Sequence, residues 1–345
     1  MDGRALSRAY FEDVVAPLLA RRFPGLRYAA ARLGTGSDVL GFDDAVSQDH
    51  DFGLRLTLLT PHDRINEVVE SLDAELPADY RDWPTRFSTS WARDARPQIE
   101  VTSASDFGRS RLGVDATAPL SVTDWLSLTG QAVLEVTGGP VFADGAGELT
   151  AMRQRLEWYP HDLWLHLLAC DWTQAGEELS FVGRSASRGD DLGSRVLAGR
   201  LAHVGMHLGF LLERRWPPYS KWLGTAFARL PRASAALPGF RAAVAAPTWQ
   251  EREDGLAEGF AALGRLQGEL GLPATEPVTV PHFDRPFRRV ADIARLLLEE
   301  IVDADVRALP YGVGNIEQVS AATKVLVDAR RRRDLMSSLT TGGAG

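Results

Sequence analysis

The chain has 345 residues, 45% of them hydrophobic and 24% charged, which is the composition of a folded globular protein and excludes general disorder. This length exceeds the usual size of one compact domain and favours two. With 46 acidic and 38 basic side chains, the net charge of −8 repels phosphate backbones and anionic lipid, so it disfavours a nucleic-acid partner.

Cysteine usage and hydropathy indicate where the protein works. Cys170 is the single cysteine, so neither a disulfide within the chain nor a cysteine-based zinc site is expected. The N-terminal residues mix charged and apolar side chains and lack the pattern of a signal peptide. No apolar run reaches the length of a membrane helix. We therefore predict a cytoplasmic protein with no membrane segment.

The first 117 residues show a mixed α/β pattern. Apolar residues at helical spacing predict helices, and runs of β-favouring residues between turn signals predict strands. In chain order these are a helix at 11–19, strands at 28–33 and 51–59, a helix at 65–72 and a strand at 96–103. In the last strand Ile99 and Val101 share one face, and Glu100 lies on the other.

The rest of the chain is predicted to be helical. Ser121 and Asp124 form a capping-box pattern that opens a short helix, and residues 138–147 have the composition of a linker. Beyond them, helical spacing recurs at 149–172, 192–215, 250–270, 285–309 and 317–339. We predict an α+β protein with a mixed-sheet domain at 1–145, a helical bundle at 146–340 and a flexible tail at 341–345.

One segment of the first domain carries a chemical pattern. Gly36 and Ser37 lie in a glycine-rich loop, and Asp49 and Asp51 are one residue apart at the start of a predicted strand. Alternation along a strand places such carboxylates on one face, where they repel each other unless a cation lies between them. Mg²⁺ prefers hard oxygen ligands of this kind. Glu100, on a neighbouring strand, is the candidate third acid of a two-metal site.

This pattern resembles the DNA polymerase beta-like nucleotidyltransferase superfamily, which has a Gly-Ser or Gly-Gly pair, an Asp-x-Asp strand and a later strand with a third acid. The segments GTGSDVLGFDDAVSQDHDFG and IEVTS are similar to those of bacterial domain-of-unknown-function 4037 proteins. The resemblance covers the first 120 residues best. It implies metal binding and catalysis by Asp49, Asp51 and Glu100, with Mg²⁺ or Mn²⁺, and contact of Gly36 and Ser37 with the triphosphate.

A second, shorter resemblance lies in the helical part. The segment ERRWPPYSKWL at 213–223 is similar to one in helix-appended members that modify aminoglycoside antibiotics. That resemblance implies that Arg215, Tyr219 and Lys221 contact the phosphates or base of the nucleotide.

Three functions remain open. The first is a metal-dependent nucleotidyltransferase that moves a nucleoside monophosphate from an NTP, expected to be ATP, to a hydroxyl of a small molecule or a protein. The second is a catalytically degenerate binding or regulatory protein of the same fold, which the extra loop acids Asp38, Asp43 and Asp44 and the unusual His50 favour. The third is a toxin–antitoxin regulator, which the large helical half disfavours.

Histidine pairs on two predicted helices admit another interpretation. His203 and His207 lie four residues apart, as do many metal ligands, and His161 and His166 lie on another helix. A metalloprotease glutamate is missing between the first two, and aliphatic and aromatic neighbours surround them. We interpret these histidines as packing or surface residues.

Overall fold

The computed structural model describes residues 2–42, 53–89 and 92–341, which form two compact units. The N-terminal unit contains the described residues up to 120 and residues 131–157. The C-terminal unit contains residues 121–130 and those from 158 onward. A mixed sheet in the first unit and helices in both confirm the predicted α+β class. None of the described helices is long and apolar enough to span a bilayer.

Short strands and helices alternate through the first 157 residues. In chain order they are α1 Gly3–Tyr10, a π-helical turn Phe11–Val15, α2 Ala16–Arg22, β1 Ala29–Ala31, α3 Ser37–Leu40, β2 Arg55–Leu59, α4 Ile65–Glu75, β3 Asp79–Tyr80, β4 Trp83–Pro84, β5 Arg86–Thr89, β6 Ala92–Thr102, α5 Ala104–Leu112, α6 Val122–Leu126, α7 Gly130–Thr137, β7 Val141–Asp144 and α8 Glu148–Arg155.

Five strands of the N-terminal unit form one sheet in the order β5-β6-β2-β1-β7. The central pair, β2 and β6, is parallel, with Arg55 opposite Gln98 and Thr57 opposite Glu100. The other neighbouring strands pair in antiparallel fashion. Because β5 pairs only with residues 92–97 of β6, the described part of the sheet has β6 residues 98–102 at its edge.

The two faces of this sheet differ in chemistry. Leu56 and Leu58 of β2 lie on one face, in a buried core with Leu6, Val68 and Leu72 from the helices. Ile99 and Val101 of β6 pack against the same core. Alternation therefore places the intervening Arg55, Thr57, Gln98 and Glu100 on the opposite face. The sequence pattern around Glu100 predicted this division, because a strand with one buried face must present its polar residues to the other.

The C-terminal unit is mainly helical and contains one hairpin. In chain order its further elements are α9 His161–Ala186, α10 Asp191–Leu212, α11 Ser220–Phe227, α12 Leu237–Ala245, α13 Trp249–Glu269, β8 Thr279–Pro281, β9 Arg288–Val290, α14 Ile293–Glu299, α15 Ala304–Arg307, α16 Ile316–Val319, α17 Thr323–Leu326 and α18 Ala329–Thr341. Its capping box at Ser121 and Asp124 is present as predicted.

Three predicted helices differ from the structure. Residues 149–172 divide into α8 and α9, which residues 156–160 separate. Residues 285–309 do not form one helix, because β9 pairs with β8 and buries Val290, leaving only α14 and α15 helical. Pro286 lacks the N–H that a helix interior needs there. Residues 317–339 divide into α16, α17 and α18, and Asp328 starts the last of them by accepting the N–H of Arg331.

The position of the domain boundary stays a prediction, although the structure groups the residues around it differently. Residues 138–147 contain β7, in which Ala143 pairs with Ala30 of β1. This pairing keeps residues 131–157 in the N-terminal unit. Residues 121–130 belong with the other unit, where Gly130 N donates to Glu317 at 2.8 Å and Ser127 O accepts from Arg332 at 3.0 Å.

Candidate functional site

The Gly34–Ser37 turn follows β1 and is held by a buried ion pair. The guanidinium of Arg32, 2% exposed, donates to both carboxylate oxygens of Asp38, at 2.7 and 2.9 Å. It also donates to the carbonyls of Leu33 and Thr35 at 2.5 and 2.9 Å. Asp38, predicted to be an acid that opposes a nucleotide, is therefore neutralised within the protein.

Gly36 is required by this ion pair. Its φ of +139° lies in a region that L side chains rarely adopt, and an added Cβ would lie 2.2 Å from Asp38 Oδ1 and 2.6 Å from Arg32 Nη2. The sequence predicted that Gly36 lets the backbone approach a phosphate. In the structure, the absence of a side chain at Gly36 makes room for the Arg32–Asp38 ion pair. Ser37 is the first residue of the four-residue helix α3. Its contact with a nucleotide stays a prediction.

Glu100 lies on the polar face of β6, opposite Thr57, as the sequence predicted. Its Oε2 accepts a hydrogen bond from Arg111 Nη2 at 2.7 Å, and the two side chains are 39% and 26% exposed. Arg111 comes from α5, whose start is capped by Ser103. The same Nη2 lies 3.3 Å from the position that a Cβ would take at Gly34. One guanidinium therefore lies between the predicted third acid and the predicted phosphate loop.

A cavity of about 870 Å³ adjoins these residues within the N-terminal unit. Glu100, Arg111 and Thr35 line it, whereas Gly36 and Ser37 are not among its described lining residues. Its remaining described lining consists of Arg32, Leu33, Arg55, Leu56, Thr57, Val69, Leu72, Asp73, Arg96, Pro97, Gln98, Ile99 and Val101.

Arginines dominate the charged lining of this cavity. Arg55 Nη2 donates to Thr35 Oγ1 at 3.3 Å and thereby joins the start of β2 to the turn. Arg96 lies on the same strand face as Glu100, two alternations earlier. Arg55, Arg96 and Arg111 thus line the same cavity as Glu100, and Arg111 contacts it. Guanidinium groups bind phosphate and carboxylate in a bidentate way, so this arrangement favours an anionic ligand.

The two predicted metal-binding aspartates, Asp49 and Asp51, lie outside the described residues, as do His50, Asp43 and Asp44. In the ranges 2–42, 53–89 and 92–341, no group of three His, Cys, Asp or Glu side chains is arranged to hold a metal ion. Glu100 is thus the member of the predicted metal site that the structure positions. Metal binding by all three residues stays a prediction.

The second predicted group, around residues 213–223, belongs to the C-terminal unit. Tyr219 precedes α11 and is 43% exposed. Lys221 Nζ lies 5.0 Å from the centre of the Trp222 ring, a cation–π contact. Both side chains are accessible, and their contact with a nucleotide stays a prediction.

Two histidines of the C-terminal unit, His207 and His166, make buried polar contacts that the sequence did not reveal. His207 Nδ1 lies 2.7 Å from Asp171 Oδ2, and both residues are buried. The other oxygen of Asp171 accepts from Gln318 at 2.8 Å. Burial disfavours a charged imidazole, yet the Asp171 carboxylate outweighs it and raises the pKa of His207. His166 Nε2 lies 2.9 Å from the Val313 carbonyl, and burial lowers its pKa.

Sequence reasoning did not identify Arg32, Arg55 or Arg111 as site residues. Arginines are common, and nothing in their spacing marks them. The available signal was indirect: the Ser103-x-x-Asp106 cap shows that a helix begins directly after the Glu100 strand. Because α5 starts directly after β6, its basic residues, such as Arg111, lie close to the end of that strand.

Comparisons with known proteins bear on part of the chain. A family model described as a domain of unknown function (DUF4037) matches residues 125–223. The resemblance expected from the sequence is therefore confirmed, but in the helical segment, whereas the motifs that suggested it lie in the first 120 residues. No curated protein gives a significant match.

Among solved structures, the chain is similar to a nucleotidyltransferase-like protein from Exiguobacterium sibiricum 255-15. The two share 13% identity, and the alignment covers 76% of this chain and 74% of that chain with a TM-score of 0.34. In residues 125–223, the chain resembles the DUF4037 proteins.

Proposed function

We propose that this protein is a metal-dependent nucleotidyltransferase that moves a nucleoside monophosphate from an NTP, expected to be ATP, to a hydroxyl of a small molecule or a protein. The observation that supports it best is the arginine-lined cavity at the β6 edge of the sheet. There the turn after β1, through Thr35, and the predicted acid Glu100 line the same space.

The charge of this cavity suits a triphosphate. Arg55, Arg96 and Arg111 line the cavity together with Glu100, while Asp38 is already neutralised by Arg32. A chain with a net charge of −8 gains little from long-range attraction of anions, so local arginines have to supply the affinity. The volume of about 870 Å³ lies within the range of small-molecule and cofactor sites.

Metal binding is the part of this proposal that is supported by the sequence pattern alone. Glu100 offers one hard oxygen ligand, and Asp49 and Asp51, which precede β2, would have to supply the others. When bound, Mg²⁺ or Mn²⁺ would polarise the phosphates and lower the pKa of the attacking hydroxyl. The protein's own residues have separate tasks: the arginines neutralise the phosphates, and the Gly34–Ser37 turn fixes the ligand's position.

One observation favours the alternative of a catalytically degenerate binding protein. The Glu100 carboxylate, expected to ligate a metal, is engaged by Arg111 at 2.7 Å. A carboxylate held in this way binds a cation less readily, because the arginine has to be displaced first. Such a protein would bind nucleotide through its arginines without transferring it.

Thermal shift with ATP, GTP, CTP and UTP, each with Mg²⁺ or Mn²⁺, tests the proposal, followed by assays of pyrophosphate release. Ligand at 100 times its Kd stabilises the native state by about 2.7 kcal/mol. We expect a metal-dependent rise in Tm for the wild type, and its loss in Asp49→Asn/Asp51→Asn. Nucleotide binding without pyrophosphate release for any hydroxyl acceptor would support the degenerate protein. No shift with any nucleotide would refute both.

A further inference from the structure

Arg111 occupies an unusual position in the candidate site. Its guanidinium donates to Glu100 at 2.7 Å on one side and lies against Gly34 on the other. It also lies over the ring of Phe107, one helical turn earlier, with Cζ 5.4 Å from the ring centre. The side chain thus has an aromatic support and faces two groups of the predicted site.

Gly34 leaves room for this arrangement. Its φ is +79°, and its N–H donates to the carbonyl of Glu135 at 2.8 Å, which fixes the turn relative to α7. Any Cβ here would meet Arg111 Nη2 at 3.3 Å, closer than most real contacts. The glycine therefore lets a guanidinium lie directly beside the backbone of the turn.

Glu100 is the carboxylate that the structure shows engaging Arg111. The carboxylate is 39% exposed and lines the cavity together with the arginine, so a ligand in the cavity reaches both. An exposed ion pair of this kind contributes little to folding stability. A phosphate oxygen offers the same guanidinium the same kind of charge-assisted hydrogen bond as the carboxylate does, so the two groups can exchange for one another.

We infer that Arg111 is a phosphate-binding residue of this site, that Glu100 holds it in the ligand-free protein, and that Glu100 and the phosphate of a nucleotide compete for it. This inference rests on the nucleotide-binding part of the proposed function and requires neither transfer nor metal. It assigns Glu100 a second role, as the group that lowers affinity for metal-free nucleotide.

Competition for one guanidinium makes a directional prediction for metal-free ATP. Arg111→Gln removes the phosphate contact and lowers ATP affinity roughly tenfold or more, since hydrogen bonds to charged groups contribute about that much. Glu100→Gln removes the competitor and raises ATP affinity by about threefold or more. In the double variant Arg111→Gln/Glu100→Gln, the gain in ATP affinity from Glu100→Gln disappears, because the Arg111 guanidinium that this substitution would release is absent.

The experiment measures ATP, tripolyphosphate and adenosine binding in EDTA by calorimetry, with the full chain and each variant. Arg109→Gln is the matched control, since Arg109 lies on the same helix and pairs with Asp106 and Asp115. We expect the effects for ATP and tripolyphosphate, and none for adenosine or for the control. Arg111→Lys, which keeps the charge but loses the planar fork, should retain part of the affinity.

Three outcomes overturn the inference. One is unchanged ATP affinity in Arg111→Gln, with circular dichroism showing a native fold. Another is a gain from Glu100→Gln that persists in the double variant, which would mean simple removal of negative charge. The third is a wild type that does not bind ATP in EDTA; binding that then appears only with Mg²⁺ or Mn²⁺ would leave the proposed function standing, and no binding in either condition would refute both. Normal variant effects without pyrophosphate release would leave this inference standing and refute only the transfer.

Discussion

Charged side chains lie inside both units, but they are satisfied in different ways. In the C-terminal unit, the carboxylate of Asp171 bonds to His207 and to Gln318, and both Asp171 and His207 are buried. In the N-terminal unit, Arg111 and Glu100 are each partly exposed and share a cavity wall. The first arrangement favours a structural role, whereas the second leaves its charges accessible to a ligand. Accessibility to a ligand, more than residue type, therefore separates the two arrangements.

The largest expected effect on stability concerns the buried network around Asp171. Asp171→Ala removes the carboxylate that binds His207 and Gln318, leaving polar groups buried without a partner. We expect a loss of about 3 kcal/mol of unfolding free energy, typical of breaking a buried pair. Urea unfolding followed by tryptophan fluorescence measures it, since all nine tryptophans except Trp83 and Trp91 lie in the C-terminal unit.

Glu177, on the exposed side of the same helix, provides the control. Glu177→Ala should change the free energy by less than about 0.5 kcal/mol. If Asp171→Ala were equally harmless, the buried network would have no structural role, and its residues would become candidates for function.

A smaller effect is expected at the turn of the N-terminal unit. Gly36→Ala introduces a strained φ and a clash with the Arg32–Asp38 pair, for which we expect a loss of about 2 kcal/mol. Gly25→Ala is the matched control, because Gly25 has a φ of +85° and open space around its Cβ position. It should lose about 1 kcal/mol.

The difference between the two glycine variants measures the clash together with the greater backbone strain at Gly36, whose φ is +139°. Thermal unfolding of both, with hydrogen exchange of the turn amides to locate the change, makes the measurement. Equal losses in the two variants would show that the buried ion pair adjusts easily and does not fix the turn.

A further effect, which appears only when the pH is changed, concerns Glu253. Glu253 is buried, and burial raises the pKa of its carboxyl to about 7, although the N–H groups of Gly183 and Arg288 oppose this. A pKa raised on folding stabilises the folded state most below the unfolded value near 4.5, and this contribution is lost as pH rises through about 7. The wild type should therefore lose stability over this window relative to Glu253→Gln.

Unfolding free energies of the two proteins at pH 5 and pH 8 test this. The difference between them should change by on the order of 2 kcal/mol, with the glutamine variant gaining at the higher pH. A constant difference would mean that Glu253 titrates as an ordinary glutamate. The charge of this residue would then be tolerated despite its burial.

The sequence predicted those parts of the fold that depend on local pattern. Alternation around Glu100 gave the correct polar face, and the Ser121 cap was correctly identified. The helix predicted at 285–309 was wrong, since pairing between β8 and β9 depends on partners distant from the helical pattern. Short apolar runs do not distinguish a strand from a buried helix.

The sequence predicted the acidic and glycine residues of the candidate site but did not identify its arginines. Glu100 could be found because a lone carboxylate in a strand is uncommon. Arg32 and Arg111 could not, because their roles arise from contacts with Asp38, Gly34 and Glu100 that only folding creates. The His207–Asp171 pair likewise joins residues 36 positions apart.

The division of residues 121–157 between the units has a consequence for synthesis of the protein. Residues 131–157 complete a sheet begun at Ala29, whereas residues 121–130 are bonded to Glu317 and Arg332, which are synthesised much later. On the ribosome, the nascent sheet can therefore close well before the short segment that interrupts it is paired. That segment, including the apolar Trp125 and Leu126, has to wait for the C-terminal helices, and chaperones would find it exposed during this interval.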